Sequence, residues 1–373
     1  MSKKLPATKK ASTIKPAVSG DLVSDSLVRE LRDLIRTTRS GVAQSVNSAL
    51  VLLYWEVGTR IRTEVLKNER ADYGKQIVAT LSRQLSDEFG SGFSHPNLIK
   101  MVAFAEVFPD RQISLTLSTK LSWSHFVELI RQKDPLKRDF YAEMCRIENW
   151  SVRTLRDKIN GMLFERTALS KKPAKLAEQE VAKLREEDRL TPDLVFRDPY
   201  FLDFLGLKDT YSEKDLEAAI LRELQTFILE IGSGFAFVGS QYRITIDGED
   251  HYIDLLFYHR KLRRLVAIDL KLGDFQAADK GQMELYLRWL EKHDTEPGEE
   301  TPLGLILCAS KSSEKIELLR LDESGIHVAS YLTELPPIDV LRQKLHESVA
   351  RAQALLENRE RGSDTDDNQQ GES

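Results

Sequence analysis

Two apolar runs near the middle of the chain, HYIDLLFYH (251–259) and RLVAIDLK (264–271), are separated by only four residues. Their aliphatic and aromatic content and the short polar connection predict a β-hairpin in the interior of a sheet. Yet one run carries Asp254 and the other Asp269 and Lys271. An ionised group buried without a partner costs several kcal/mol, so a structural ion pair or an outside cation must offset these charges. A four-residue loop sets His259 against Arg264 and, counting back, Asp254 opposite Asp269, with Cβ atoms about 4.5–5.5 Å apart. A two-residue loop at 261–262 gives the same pairing, whereas an odd-length loop breaks it. Lys271 lies two residues beyond Asp269, hence on the same face.

Two bare carboxylates that close repel, and one takes up a proton unless a cation sits between them. Mg²⁺ fits such a pair, since it prefers oxygen ligands at about 2.0–2.1 Å and keeps several waters. A charged lysine beside the ion is no ligand. It can orient or deprotonate a water, or steady charge developing on a phosphate. The preceding segment, EKDLEAAILRELQTFILEIG (213–232), predicts one long helix closed by Gly232. At about 100° per residue, its apolar stripe contains Glu217 roughly 35° from the centre, while Glu223 and Glu230 fall roughly 85° and 105° away. Glu217 is the preferred accessory carboxylate; as an alternative, it is an ordinary first-turn acid favoured by the helix dipole.

Around this motif the chain divides in two. Residues 25–170 repeat apolar positions at three and four, predicting a helical domain, and 171–195 reads as a charged connector. From 196 to 358 the order is helix, three strands, helix, strand, an α/β or α+β arrangement around a mixed sheet. The basic start, 1–24, and polar end, 359–373, are expected to be disordered. Within the first half, LSRQLSDEFGSGFSHPNLIKMVAFAEVF has a helix-turn-helix outline, with Ser94 as cap, Pro96 in the first turn and Lys100 as its basic residue. Any helical bundle contains such corners, so an oligomerisation or scaffold role competes with DNA reading.

With 41% hydrophobic and 30% charged residues, the chain is globular. It has no run near the roughly 18 apolar residues of a membrane span, and its start lacks a signal peptide's apolar core. Cys145 and Cys308 are the only cysteines, which excludes a disulfide framework and a thiolate zinc site and points to the cytoplasm. Residues 1–170 hold 27 Lys+Arg against 19 Asp+Glu, a surplus of eight positive charges, while the remainder holds 27 against 40. A basic half joined to an acidic half suggests that the first meets a polyanion. His251 and His259 flank the motif strand without ligand spacing and are expected at the surface. Tyr242 and Arg243 could reach a phosphate, but alternation with Ile244 and Ile246 explains them as strand residues.

An acidic helix residue, a strand Asp and then Asp-x-Lys on the next strand resembles the PD-(D/E)XK nuclease superfamily. The stretches GFAFVGSQYRI, YIDLLFYHR and VAIDLKLG…GQMELYLRWL, with YWEVGTRI, YGKQIVATLSRQLSDEFGSGFSHPNL and LSWSHFVELIR upstream, resemble its YhcG-like family more closely. The resemblance implies a restriction-endonuclease-like C-terminal domain behind a helical N-terminal one. By position it makes Asp254 and Asp269 metal ligands, Lys271 the catalytic lysine, Glu217 the helix acid and Gln282 the polar helper on the following helix. Members more often carry Glu-x-Lys; Asp269 is one methylene shorter.

The expected function is therefore Mg²⁺-dependent hydrolysis of nucleic-acid phosphodiesters, with Mn²⁺ as a substitute metal and DNA as the favoured substrate. Arg260, Lys261, Arg263 and Arg264 at the hairpin tip, with Lys100, are the candidate phosphate contacts. Double-strand cleavage would favour a homodimer. The alternative is a nuclease-fold protein that binds nucleic acid or assembles complexes without turnover.

Overall fold

The computed structural model describes residues 25–65, 71–207, 210–232 and 234–369; the expected arm, 1–24, lies outside them. The first half is helical throughout: α1 (Asp25–Val65), α2 (Ala71–Phe89), α3 (His95–Val107), α4 (Arg111–Ser118), α5 (Trp123–Leu129), α6 (Pro135–Glu148), α7 (Val152–Asn160) and α8 (Leu163–Arg166). Acidic and hydroxyl caps start several of them: Asp110, Asp134 and Ser151 accept from the free backbone N–H groups of α4, α6 and α7. Ser94 precedes α3, but its hydroxyl makes no cap bond; its carbonyl oxygen receives Asn97 and Leu98 N–H instead.

The helix-turn-helix outline exists as α2, a short 3-10 turn and α3, but α3 is a central packing helix. Leu98, Met101, Phe104 and Ala105 are buried, chiefly against α1. The two helices meet so closely at Gly58 that a Cβ there would lie 1.9 Å from the Met101 carbonyl oxygen. The open face of α3 carries His95, Pro96, Ile99 and Glu106, while Lys100 is half-buried. That face lacks the basic side chains a groove-reading helix turns to phosphate.

The expected connector is built into the molecule. Its helix α9 (Ala174–Glu187) buries Ala177, Val181 and Leu184 against α6, and Arg185 reaches Glu143 and Asp139. After α10 (Pro192–Val195), β1 (Tyr200–Phe201), α11 (Glu213–Arg222) and α12 (Leu224–Ile231) come β2 (Phe235–Ile246), β3 (Glu249–His259) and β4 (Arg264–Asp274). Then follow α13 (Ala277–His293), β5 (Leu303–Ser310), α14 (Ser313–Leu318), β6 (Ile326–Leu332) and α15 (Ile338–Gln369). The expected single helix over 213–232 is broken at Glu223, whose φ of −102° and ψ of 28° leave the helical range. The backbone of α15 continues to Gln369, so the expected disordered tail is helical to that residue; no proline interrupts it.

The six strands run in the order β1-β6-β5-β4-β3-β2, parallel from β1 through β4 and antiparallel from β4 to β2. Leu255, Phe257, Val266, Ile268, Leu305 and Leu307 face a core that is continuous with α11, α12 and the helical half. Ile253, Leu256, Leu265, Ala267 and Ile306 face α13. One apolar core thus joins both halves of the chain. No helix among the described residues is long and apolar enough to cross a membrane.

Candidate active site

The hairpin has the expected register: His259 pairs with Arg264, and the ladder continues to Leu255 with Ile268. It stops one step short of Asp254 and Asp269. Before Leu255, β3 pairs only with β2; beyond Ile268, β4 pairs only with β5. The two aspartates therefore stand where the strands part. Asp254 Oδ2 takes the place of a missing ladder partner by accepting the Leu270 N–H at 2.8 Å. The alternation of β3 also changes phase here, since Ile253 and Leu256 both pack toward α13.

Gln241 lies on β2 at the matching interruption, where the pairing of β2 with β3 skips one step. Its φ is 47°, a left-handed conformation uncommon for a residue with a side chain. Its amide donates to Glu217 Oε2 at 2.8 Å and to Asp254 Oδ1 at 3.1 Å. Glu217 therefore meets Asp254 across a donor that the two carboxylates share. Among the described residues no three His, Cys, Asp or Glu side chains are grouped to hold a metal. Burial raises the Glu217 carboxyl, Gln241 opposes this, and the Asp254 charge adds to the rise. One turn earlier on α11, Glu213 accepts the Leu272 N–H at 3.1 Å. Glu223 makes no such link, and Glu230 belongs to a separate buried network with Arg166 and Arg197.

Asp269 is 3% exposed. Burial pushes its carboxyl up to about 6, against the pull of Lys271 and with the help of Asp254. Lys271 Nζ lies 2.9 Å from Asp269 Oδ2, an ion-pair distance. The angles fall outside hydrogen-bond geometry, so that buried oxygen has charge compensation without a directed hydrogen bond. Burial opposes the charge on Lys271, but Asp269, with Asp279 and Glu213 beyond it, overcomes this and holds the ammonium above its ordinary range. Lys271 is thus a cationic donor in this state, not a free base. On α13, Gln282 donates to the Tyr286 hydroxyl at 2.6 Å, which donates to the Tyr252 carbonyl oxygen at 3.1 Å. Burial raises the Tyr286 phenol, and the Asp269 and Asp254 charges add to this, placing Gln282 and Tyr286 beside the same cluster.

Sequence reasoning missed Gln241 and Glu213. The four-residue spacing of Glu213 and Glu217 on one helix face was the available signal for the second; Gln241 had none, because a backbone irregularity aims it. The hairpin tip is not part of the cluster. It lies five residues from Asp254, about 17 Å of strand. Lys261 is committed to the end of α6, reaching the Ile147 carbonyl oxygen at 2.6 Å and Glu148 at 2.7 Å. Arg264 is half-buried, 3.6 Å from Glu300, while Arg260 and Arg263 are exposed. Tyr242 and Arg243 pair with Asp294 and Asp250. His259, expected at the surface, is buried against Phe235, because Gly234 leaves room for its ring: a Cβ there would lie 2.6 Å from it.

Residues 30–166 match the family model described as the DUF1016 N-terminal domain, and residues 193–347 match that of the YhcG PDDEXK nuclease domain. A protein of Escherichia coli (strain K12) named "Putative nuclease YhcG" is 36% identical over 355 residues, covering 87% of this chain and 93% of that one. The chain belongs to the YhcG family. Its C-terminal half is accordingly a PD-(D/E)XK-type nuclease domain behind a helical domain. Among solved structures, a repair endonuclease from Pyrococcus abyssi aligns at 20% identity over 35% of this chain and 50% of that one, with a TM-score of 0.23. A structure entitled EndoMS-dsDNA2 complex aligns at 15% identity over 35% and 49%, with a TM-score of 0.26. The chain spans about half of each, and superpositions this loose carry no argument about the site.

Nucleases of the PD-(D/E)XK type generally use divalent metals, and the side chains of this family member fit one. The donors are carboxylate oxygens, the kind hard cations prefer. Asp269 presents a buried oxygen without a hydrogen bond, and burial raises its carboxyl despite the neighbouring Lys271.

Proposed function

We propose that the protein is a metal-dependent endonuclease acting on DNA. The observation that carries this reading is the under-compensated carboxylate Asp269, set with Asp254 and Lys271 where β3 and β4 separate. Asp254 and Asp269 would hold a Mg²⁺ ion, for which Mn²⁺ can substitute. Bound there, the ion would supply Lewis-acid charge to the scissile phosphate and lower the pKa of its water.

The chain's own groups do the rest. The Lys271 ammonium donates a hydrogen bond to the attacking water or to a non-bridging phosphate oxygen. The Leu270 N–H and the Gln241 amide fix the two oxygens of Asp254. Glu217 steadies Gln241 from the other side, and Gln282 with Tyr286 lines the α13 wall. Arg260 and Arg263, both exposed, are left to contact backbone phosphates away from the cluster. A binding protein without turnover is the second reading, favoured by the absence of a three-carboxylate group among the described residues.

The test is cleavage of plasmid, branched and single-stranded DNA and of RNA, with Mg²⁺, Mn²⁺ or chelator, by wild type, Asp254→Ala, Asp269→Asn and Lys271→Ala. Each variant is expected to lose at least about a hundredfold in rate on DNA. Equal rates for wild type and Asp254→Ala or Lys271→Ala would show the site to be misassigned. Metal binding without cleavage of any substrate would favour the second reading.

A further inference from the structure

Among the described residues, the first half of α1 meets the rest of the protein only near its end, where the Gln44 amide donates to the Thr119 carbonyl oxygen. The helix is 41 residues long, about 62 Å at 1.5 Å per residue. Its second half packs on α3 and α4, with Asn47 and Ser48 bonded to backbone carbonyls at the end of α4. Residues 31–46 are largely exposed around the whole helix. Helical stability in proteins comes mainly from packing an amphipathic face, and this stretch has such a face with no described residue packed on it. Leu34 is 63% exposed and Val42 60%, and Leu31, Ile35, Val46, Leu50 and Leu53 are all more than 40% exposed. At about 100° per residue they fall mainly on one side of the helix.

The order of these residues says what would cover them. Counted outward from Val42, the stripe reads nearly the same in both directions. Leu31 and Leu53 are both 11 residues from Val42, Leu34 and Leu50 both 8, Ile35 and Ala49 both 7, and Thr38 and Val46 both 4. An antiparallel copy of α1 crossing at Val42 would bring Leu31 level with Leu53 and Leu34 with Leu50, with Ile35 on Ala49 and Val46 on the methyl-bearing Thr38. That self-complementarity is what a two-fold interface requires. The stripe runs over 23 residues, and two such stripes offer on the order of 1,000 Å² of contact, about the least that a specific interface buries.

We infer that the protein is a homodimer whose two-fold axis passes between the Val42 residues of two antiparallel α1 helices. This surface is separate from the Asp254–Asp269 cluster, so the inference stands or falls independently of the nuclease reading.

Sedimentation or light scattering of the full chain should give twice the 42.6 kDa chain mass. Val42→Glu, which sets two like charges face to face, should weaken association at least a hundredfold while leaving helicity unchanged. Leu34→Glu, off the axis, checks that the effect belongs to the stripe and not to one position. The direction is read with a short bis-maleimide. Chains carrying Leu31→Cys mixed with chains carrying Leu53→Cys should cross-link, and Leu31→Cys alone should not. The native thiols, Cys145 and Cys308, are buried and give little background. A monomeric wild type at about 100 μM, a dimer indifferent to both glutamates, or cross-linking of Leu31→Cys alone would each overturn the inference.

Discussion

Carboxylates largely shielded from water occur in two kinds of setting in this protein. Glu230, on α12, meets Arg166 at 2.6 Å and Arg197 at 3.2 Å and accepts the Phe201 N–H. Burial opposes its charge, yet the two guanidinium groups hold its carboxyl below the usual range. Asp198 is similar: Lys171 and Lys311 each lie 2.6 Å from one oxygen, Ser330 donates to the other, and the carboxyl is held well below its ordinary value despite burial. Asp269 has one ammonium, another carboxylate for a neighbour, and an oxygen without a hydrogen bond. Its carboxyl goes up, not down. The first two acids are finished by their own chain and tie the helical half to the sheet. The third is left short of positive charge, as a site built to receive a cation would be.

Removal of each acid should separate these roles, and the largest effect on folding belongs to Glu230. Arg166 and Arg197, 3% and 5% exposed, would be left buried without their partner, so Glu230→Ala should cost about 3–5 kcal/mol in denaturant unfolding. Asp269→Asn should instead keep stability within about 1 kcal/mol while removing cleavage. A large loss of stability in Asp269→Asn would erase the distinction. Gly58→Ala gives a scale from the helical half: its Cβ would strike the Met101 carbonyl oxygen, and a loss of about 1–3 kcal/mol is expected in the same assay.

The pH dependence of folding sharpens the contrast. Asp269 titrates near 6 in the fold and near 3.8 when unfolded, so the folded state binds the extra proton. In metal-free protein this makes the fold more stable as pH falls from about 6 toward 3.8. Burial of His259, reinforced by Lys261, lowers its imidazole to about 4 from 6.5. The unfolded state then binds the extra proton, so its contribution to stability is lost as pH falls from 6.5 to about 4. The two slopes oppose each other, and Asp269→Asn should uncover the acid-side loss carried by His259. Thermal unfolding of both proteins across this range measures it.

Smaller effects are expected at the margins of the site. Gln241→Ala should slow cleavage about 10–100-fold, since it frees Asp254 and Glu217 from a shared donor without removing either acid. Arg260→Ala and Arg263→Ala should each weaken DNA binding only a few-fold and flatten its salt dependence by about one unit. Salt titrations of affinity test this.

The hairpin, its register and the convergence of Asp254, Asp269 and Lys271 were legible because strand periodicity is two and an even loop leaves few pairings. Glu217 was legible from helix periodicity even though its helix is broken at Glu223. Gln241 was not, because a left-handed φ at an interrupted ladder position redirects its side chain. Nor was the burial of His259, which depends on the missing side chain of Gly234. The connector read as a charged one because α9 hides only Ala177, Val181 and Leu184 on a narrow stripe. Likewise, Lys261 gave no sign in the sequence that it would be spent on Glu148, more than a hundred residues away.

Calorimetric titration of metal-free protein with Mn²⁺ near pH 6, in buffers of different ionisation enthalpy, tests the cation deficit at Asp269 most directly. Wild type should bind the ion and release part of a proton as it does so. Asp269→Asn should bind far more weakly and release none. Binding of equal strength by the two proteins, or wild-type binding without proton release, would contradict the assignment of Asp269 as the seat of the metal.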